Sequence, residues 1–122
     1  MLNLDTHILL LALSDELTRS EKRLLSSEPW SISAIVRWEI AKLVQLERIE
    51  LDLDHSDTRR VLGRIHTWPL SWEVCRASCA LDFRSDPADE LIAATSVVHD
   101  IPLVTRDGRL RRSKMVPLAR LR

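Results

Sequence analysis

Asp5, Glu39, Asp89 and Asp107 are acids whose settings along the chain suit metal-assisted chemistry. Asp5 follows the apolar run Leu2-Asn3-Leu4 and precedes a helical pattern, so its carboxylate either caps that helix or stands at the end of a strand. Asp107, within Val104-Thr105-Arg106-Asp107-Gly108, is either a turn residue ahead of glycine or a second strand-end acid. Glu39 is more telling. At about 100° per residue along 34–46, Ile35, Leu46, Leu43, Val36, Ile40 and Val44 share one arc, and Glu39 falls inside it between Leu46 and Leu43. A carboxylate on an apolar face needs a cation, a hydrogen-bond network or a water-lined cleft, because burying it unpaired costs several kcal/mol. Asp89 sits in the first turn of a helical stretch, 88–99, where the helix dipole favours negative charge. Asp86, ahead of Pro87, is expected to be its N-cap or to support Asp89 from outside the cluster.

Converging carboxylates suit hard divalent cations such as Mg²⁺ or Mn²⁺, which take oxygen ligands and keep some of their water. A cation of that kind lowers the pKa of bound water and stabilises charge on a phosphoryl group, as hydrolysis of a phosphodiester requires. His7, His55, His66 and His99 show no zinc-type HxxxH spacing, and surface or core roles are expected for them. Gly63 and Gly108 are the only glycines, which excludes glycine-rich nucleotide loops. Cys75 and Cys79, one helical turn apart, form neither a CxxC nor a zinc-finger pattern and are read as reduced thiols.

The elements that must position these acids are legible from periodicity and punctuation. Strands are expected at 2–4, 30–32 and 102–105, with 116–118 as a further candidate. Helices are expected from residue 6, from Thr18 (whose relation to Glu21 is a capping box), and at 34–46, 56–65, 71–81 and 88–99. Strands separated by helices indicate a parallel sheet covered on both faces, an α/β fold whose chemistry lies beyond the carboxyl ends of its strands. At 122 residues, with 45% hydrophobic and 30% charged residues, the chain has the size and balance of a single domain spanning 1–122. The N-terminus lacks a basic leader and its apolar run is too short for a bilayer, so a cytoplasmic protein with no membrane partner is expected. The zero net charge hides an asymmetry. Residues 1–100 hold 11 Lys/Arg against 17 Asp/Glu, whereas residues 101–122 hold 7 against 1, so the tail suits either phosphates or an acidic partner. Trp38 lies off the apolar arc among Ala41, Lys42 and Gln45; either a partner or another helix of the chain is expected to cover it.

Four segments together resemble the PIN-domain family of VapC-type ribonuclease toxins. Leu4-Asp5-Thr6-His7-Ile8-Leu9-Leu10 resembles its "LDTHxLL", and Ser31-Ile32-Ser33-Ala34 with Trp38-Glu39-Ile40-Ala41 resembles its "SxSAxxxWEIA". Asp86-Pro87-Ala88-Asp89 through Ile92-Ala93-Ala94-Thr95 resembles "DPADRxIAAT", and Leu103-Val104-Thr105-Arg106-Asp107 resembles "LVTRD". The resemblance implies a PIN-like three-layer α/β/α domain with a central parallel sheet. It also implies that Asp5, Glu39, Asp89 and Asp107 form the metal-binding catalytic centre of a Mg²⁺- or Mn²⁺-dependent endoribonuclease, supported by the Thr6 and Thr105 hydroxyls. An RNA substrate, a homodimer and a neutralising VapB-like antitoxin are implied as partners. Glu90 stands where the family usually has arginine, Glu47 where glycine is common, and Arg84 near a common histidine; these departures bear on substrate or partner contacts. The alternatives are an inactive PIN-like binding module, or an acid-centred Mg²⁺-dependent phosphotransfer or phosphatase domain. A dehalogenase-like phosphatase wants a second aspartate two residues after Asp5, where His7 stands, and a receiver wants an acidic pair near the first strand and a lysine after a late one.

Overall fold

The computed structural model describes residues 1–121; Arg122, the last cation of the basic tail, lies outside them. The chain opens with strand β1 (Leu2–Leu4), helix α1 (Thr6–Leu13) and helix α2 (Arg19–Leu25), followed by β2 (Trp30–Ser33) and α3 (Ala34–Gln45). Then come α4 (Ser56–Gly63), β3 (His66–Trp68), α5 (Trp72–Ser78), α6 (Pro87–His99), β4 (Leu103–Val104) and α7 (Gly108–Arg111). The strands form one parallel sheet in the order β3-β2-β1-β4. Successive side chains of a strand point to opposite faces. Leu2, Asn3 and Leu4 are all at most 1% exposed, so both faces of β1 are covered, and the result is the expected three-layer α/β/α arrangement.

Asn3 is the polar exception in this layer. Its Nδ2 donates to the Ile92 carbonyl at 3.2 Å and to Ser96 Oγ at 2.9 Å, which fixes α6 against the central strand. Leu2 and Leu4 belong to an aliphatic cluster that includes Ile8, Leu9, Ile32 and Val36. Caps set the helix starts: Asp5 for α1, Thr18 with Glu21 as a complete capping box for α2, and Ser33 for α3. Helix α3 ends in a Schellman motif, Glu47 N–H donating to the Val44 carbonyl and Arg48 N–H to that of Leu43. Glu47 thereby takes φ 57°, the left-handed conformation that glycine adopts at least cost.

Several elements differ from the sequence-based expectation. Strand β3 was not anticipated, because His66-Thr67-Trp68 shows no apolar alternation; it exists through its register with Ser31, Ile32 and Ser33 of β2. Residues 116–118 contribute a single bridge, Leu103 to Leu118, because Pro117 has no N–H and supplies only its carbonyl to Leu103. The turn expected at Asp107 continues into the short helix α7. Cys75 and Cys79 are free thiols, and among the described residues no helix is long and apolar enough to cross a membrane.

Candidate functional site

The sheet order makes β1 the point where the chain changes direction of growth, with β2 and β3 added on one side and β4 on the other. Side chains just past β1 and β4 therefore meet at the crevice where ligands bind in open α/β sheets. Leu4 pairs with Val104, so Asp5 and Thr105 emerge side by side. Thr105 Oγ1 donates to Asp5 Oδ2, and Asp5 Oδ1 accepts the Ile8 N–H at 2.8 Å. Asp5 is thus both the cap of α1 and a cavity-lining acid. Burial pushes its carboxyl pKa up; the hydrogen bonds from Thr105 and Ile8 and the charge of His7 pull against this, and Asp89 adds repulsion.

Glu39 reaches the same place from the second turn of α3. It lies within the apolar arc but toward its Leu46 end, which is exposed rather than core, so Glu39 is half-buried, and its Oε1 accepts from Thr6 Oγ1 at 2.5 Å. Burial again pushes its pKa up, Thr6 opposing and Asp89, Asp5 and Asp86 adding repulsion. Asp89, in the first turn of α6, accepts from Ser85 Oγ at 3.0 Å. Its carboxyl is raised by burial first and then by Asp107 and Asp86, with Ser85 and Arg109 opposing. Asp107 caps α7, its Oδ1 accepting from Arg109 N–H at 2.8 Å, while its own N–H donates to Thr105 Oγ1 at 3.1 Å.

These acids, Asp5, Glu39, Asp89 and Asp107, line a single cavity of about 450 Å³. Thr6 and His7 share the wall, Leu10 and Leu43 form its apolar side, and Arg106 is its arginine. Asp86 takes the N-cap position of α6, but its exposed side chain makes no capping hydrogen bond and does not line the cavity; its charge acts on Glu39 and Asp89 from outside. Trp38 is 55% exposed, so among the described residues no helix covers it, and Lys42 Nζ stands 6.0 Å from its ring centre. His7, expected to have a surface or core role, is exposed at the cavity wall, whereas sequence reasoning missed Ser85 and the link between Glu21 and Arg106. Glu21 left a signal in its place in the capping box, which concerned the helix rather than the cavity, and Arg106 in its place beside Asp107, whereas Ser85 left none.

Among the described residues, no three carboxylate, imidazole or thiol groups stand close enough to enclose an ion by themselves. The donor set nevertheless fits a hydrated hard cation, which needs one or two direct carboxylates and keeps several waters. The carboxylates share an open cavity, and three of them have pKa values raised by burial and by one another, a surplus of negative charge that a cation relieves.

Residues 3–114 match the family model for the PIN domain. The chain belongs to the PIN-domain family. Over 84 residues it is 37% identical to ribonuclease VapC22 of Mycobacterium tuberculosis (strain ATCC 25618 / H37Rv), an alignment that covers 66% of this chain and 65% of that protein. Among solved structures, the toxin–antitoxin complex from Klebsiella pneumoniae matches with a TM-score of 0.71 at 24% identity, covering 92% of this chain and 91% of that one. VapBC2 from Rickettsia felis, bound to a DNA fragment from its promoter, also matches with a TM-score of 0.71, at 19% identity and 98% coverage of both chains. These two structures share the fold of this PIN domain. Its strand order also separates it from a receiver, where the third strand lies beside the first rather than beside the second.

Proposed function

We propose that this PIN domain is a divalent-cation-dependent endoribonuclease of the VapC type and the toxin of a toxin–antitoxin pair. The observation that carries the reading is the meeting of Asp5, Glu39, Asp89 and Asp107 in one cavity at the switch point of the sheet. The resemblance to a curated ribonuclease supports the reaction class, and the fold shared with toxin–antitoxin complexes supports a VapB-like antitoxin as partner. The same reading takes residues 1–122 as a single PIN domain that acts in the cytoplasm as a homodimer.

Asp5, Glu39, Asp89 and Asp107 would hold Mg²⁺ or Mn²⁺, which when bound polarises a phosphoryl oxygen and makes water a stronger nucleophile at neutral pH. The chain's own contribution is to set the carboxylates in place beforehand. Thr105 and the Ile8 N–H orient Asp5, Thr6 orients Glu39, and Ser85 orients Asp89, each through a hydrogen bond. Leu10 and Leu43 make one wall of the cavity apolar, which lowers the local polarity against which charges there interact.

The test is cleavage of single-stranded and structured RNA by purified protein with Mg²⁺, with Mn²⁺ and with EDTA. Cleavage is expected only with the metals, and Asp5→Asn or Asp89→Asn should lower it by at least about a hundredfold while the protein stays folded. Cleavage undiminished by EDTA, or full activity of either purified variant, overturns the reading.

A further inference from the structure

Glu21 lies outside the cavity and is 3% exposed, a carboxylate that the fold buries on the far side of Arg106. Its helical duty is local: Oε1 accepts the Thr18 N–H at 2.8 Å and completes the capping box of α2. Its tertiary duty is a two-pronged grip on Arg106, with Nε to Oε2 at 2.8 Å and Nη2 to Oε1 at 2.6 Å. Such a fork fixes the guanidinium in a plane, which a monodentate pair does not.

The arginine so fixed is the one among the cavity-lining residues, and it sits in sequence between Thr105, which donates to Asp5, and Asp107. A guanidinium has five N–H donors and the Glu21 fork uses two. Among the described residues no protein group accepts from the rest, and the side chain is 41% exposed. The cavity walls are otherwise acidic, so an anionic substrate entering them meets repulsion that one fixed, partly uncommitted arginine offsets.

We propose that Arg106 is the anion contact of the cavity, engaging a phosphodiester of the RNA strand through the N–H groups Glu21 leaves free, and that Glu21 is its positioning residue. This rests on the ribonuclease reading above. Arg106 touches substrate; Glu21 acts through Arg106 by holding its plane at the cavity wall.

The experiment measures binding of a fluorescein-labelled single-stranded oligoribonucleotide by anisotropy over a salt series with Mg²⁺, in the Asp89→Asn background, alongside cleavage kinetics in the otherwise native chain. Arg106→Gln should weaken binding about tenfold and flatten the dependence of log affinity on log salt by about 0.7, the loss of one phosphate contact on a single strand. Arg106→Lys should keep the salt slope but lose affinity, since charge survives and the fork does not. Glu21→Gln should raise KM more than it lowers kcat, and the Glu21→Gln, Arg106→Gln double variant should bind no worse than Arg106→Gln alone. Melting temperatures identify any variant that is not folded, and Arg106→Lys then serves as the decisive variant. A native protein that cleaves no RNA with either metal overturns the ribonuclease reading and this inference with it. Native cleavage with unchanged affinity, salt slope and KM in folded Arg106 variants overturns the inference alone, and a Glu21→Gln protein that loses only melting temperature removes Glu21 from it.

Discussion

At the scale of single residues, the site is a set of acids held at some cost in stability. Asp5, Glu39 and Asp89 all have carboxyl pKa values raised by burial, so the folded state favours their protonated forms. The stability this contributes is present below the unfolded pKa values and is lost as pH rises through the folded ones. At neutral pH their charges therefore work against the fold, and Asp89→Asn should raise Tm by roughly 2–4 °C at pH 7, less at pH 4, with Mg²⁺ stabilising the native chain more than the variant. Calorimetry at both pH values checks this; a lower Tm at pH 7 would mean that the helix-dipole contribution of Asp89 outweighs the repulsion. Glu21 has the opposite sign. The Arg106 guanidinium holds its carboxyl down at about 2 from an ordinary 4.5, so its contribution is present above the unfolded value and is lost as pH falls toward the folded one. Solvent around the exposed Arg106 side screens the pair, so its contribution is on the order of 1 kcal/mol, as for other partly exposed ion pairs. In urea melts, Glu21→Gln should be less stable than the native chain at pH 6, with the difference shrinking between pH 4.5 and 2; a difference independent of pH would assign the loss to the helix cap instead.

At the scale of elements, the helix ends show where the chain departs from least strain. Asp15, Glu47 and Asp100 all adopt positive φ after a helix, and aspartate tolerates that region better than glutamate does. Glu47 is exposed and serves the Schellman motif only through its backbone. Glu47→Gly should therefore stabilise the protein by roughly 0.5–1 kcal/mol, about 2–5 °C in Tm, with no gain from Glu47→Ala. Equal gains from both would locate the effect in the loss of charge rather than in the backbone. Helix α6 illustrates the converse economy of design: Pro87 at its first turn and the Asn3 anchor in its middle set its N-terminus, with Asp89, at the cavity.

At the scale of the whole molecule, the outward face of α3 is left uncovered by the described residues. Trp38 at 55% exposure, next to Lys42, presents an indole to solvent on the side of the helix away from Val36 and Ile40. If it anchors a second copy or the antitoxin, Trp38→Ala should leave the melting temperature of the isolated chain within about 1 °C and weaken association, read by sedimentation and by antitoxin titration. Unchanged association in both assays removes Trp38 from either interface. The basic tail has a more divided role than its charge implies. Arg106 is held by Glu21 through part of its guanidinium, while Arg109 donates to the Arg84 carbonyl at 3.0 Å and Arg111 to the Thr105 carbonyl at 3.1 Å, so part of that charge is engaged within the chain.

The sequence alone determined the longer helices and the central strands, because apolar periodicity, the capping residues Thr18 and Ser33 and the break at Pro29 are local signals. It also singled out Asp5, Glu39, Asp89 and Asp107, since a carboxylate at a strand end or on an apolar face conflicts with burial unless something compensates it. Tertiary structure alone decided how these acids meet, through the pairing of Leu4 with Val104 and the anchoring of α6 by Asn3. It alone decided that His66–Trp68 is a strand, because an edge strand is defined by its neighbour more than by its own pattern. The grip of Glu21 on Arg106 belongs to the same class. Two ordinary surface-type residues 85 positions apart carry no mark in sequence of the partner each will find, since ion pairing depends on where the backbone delivers the groups and on how much water is left between them.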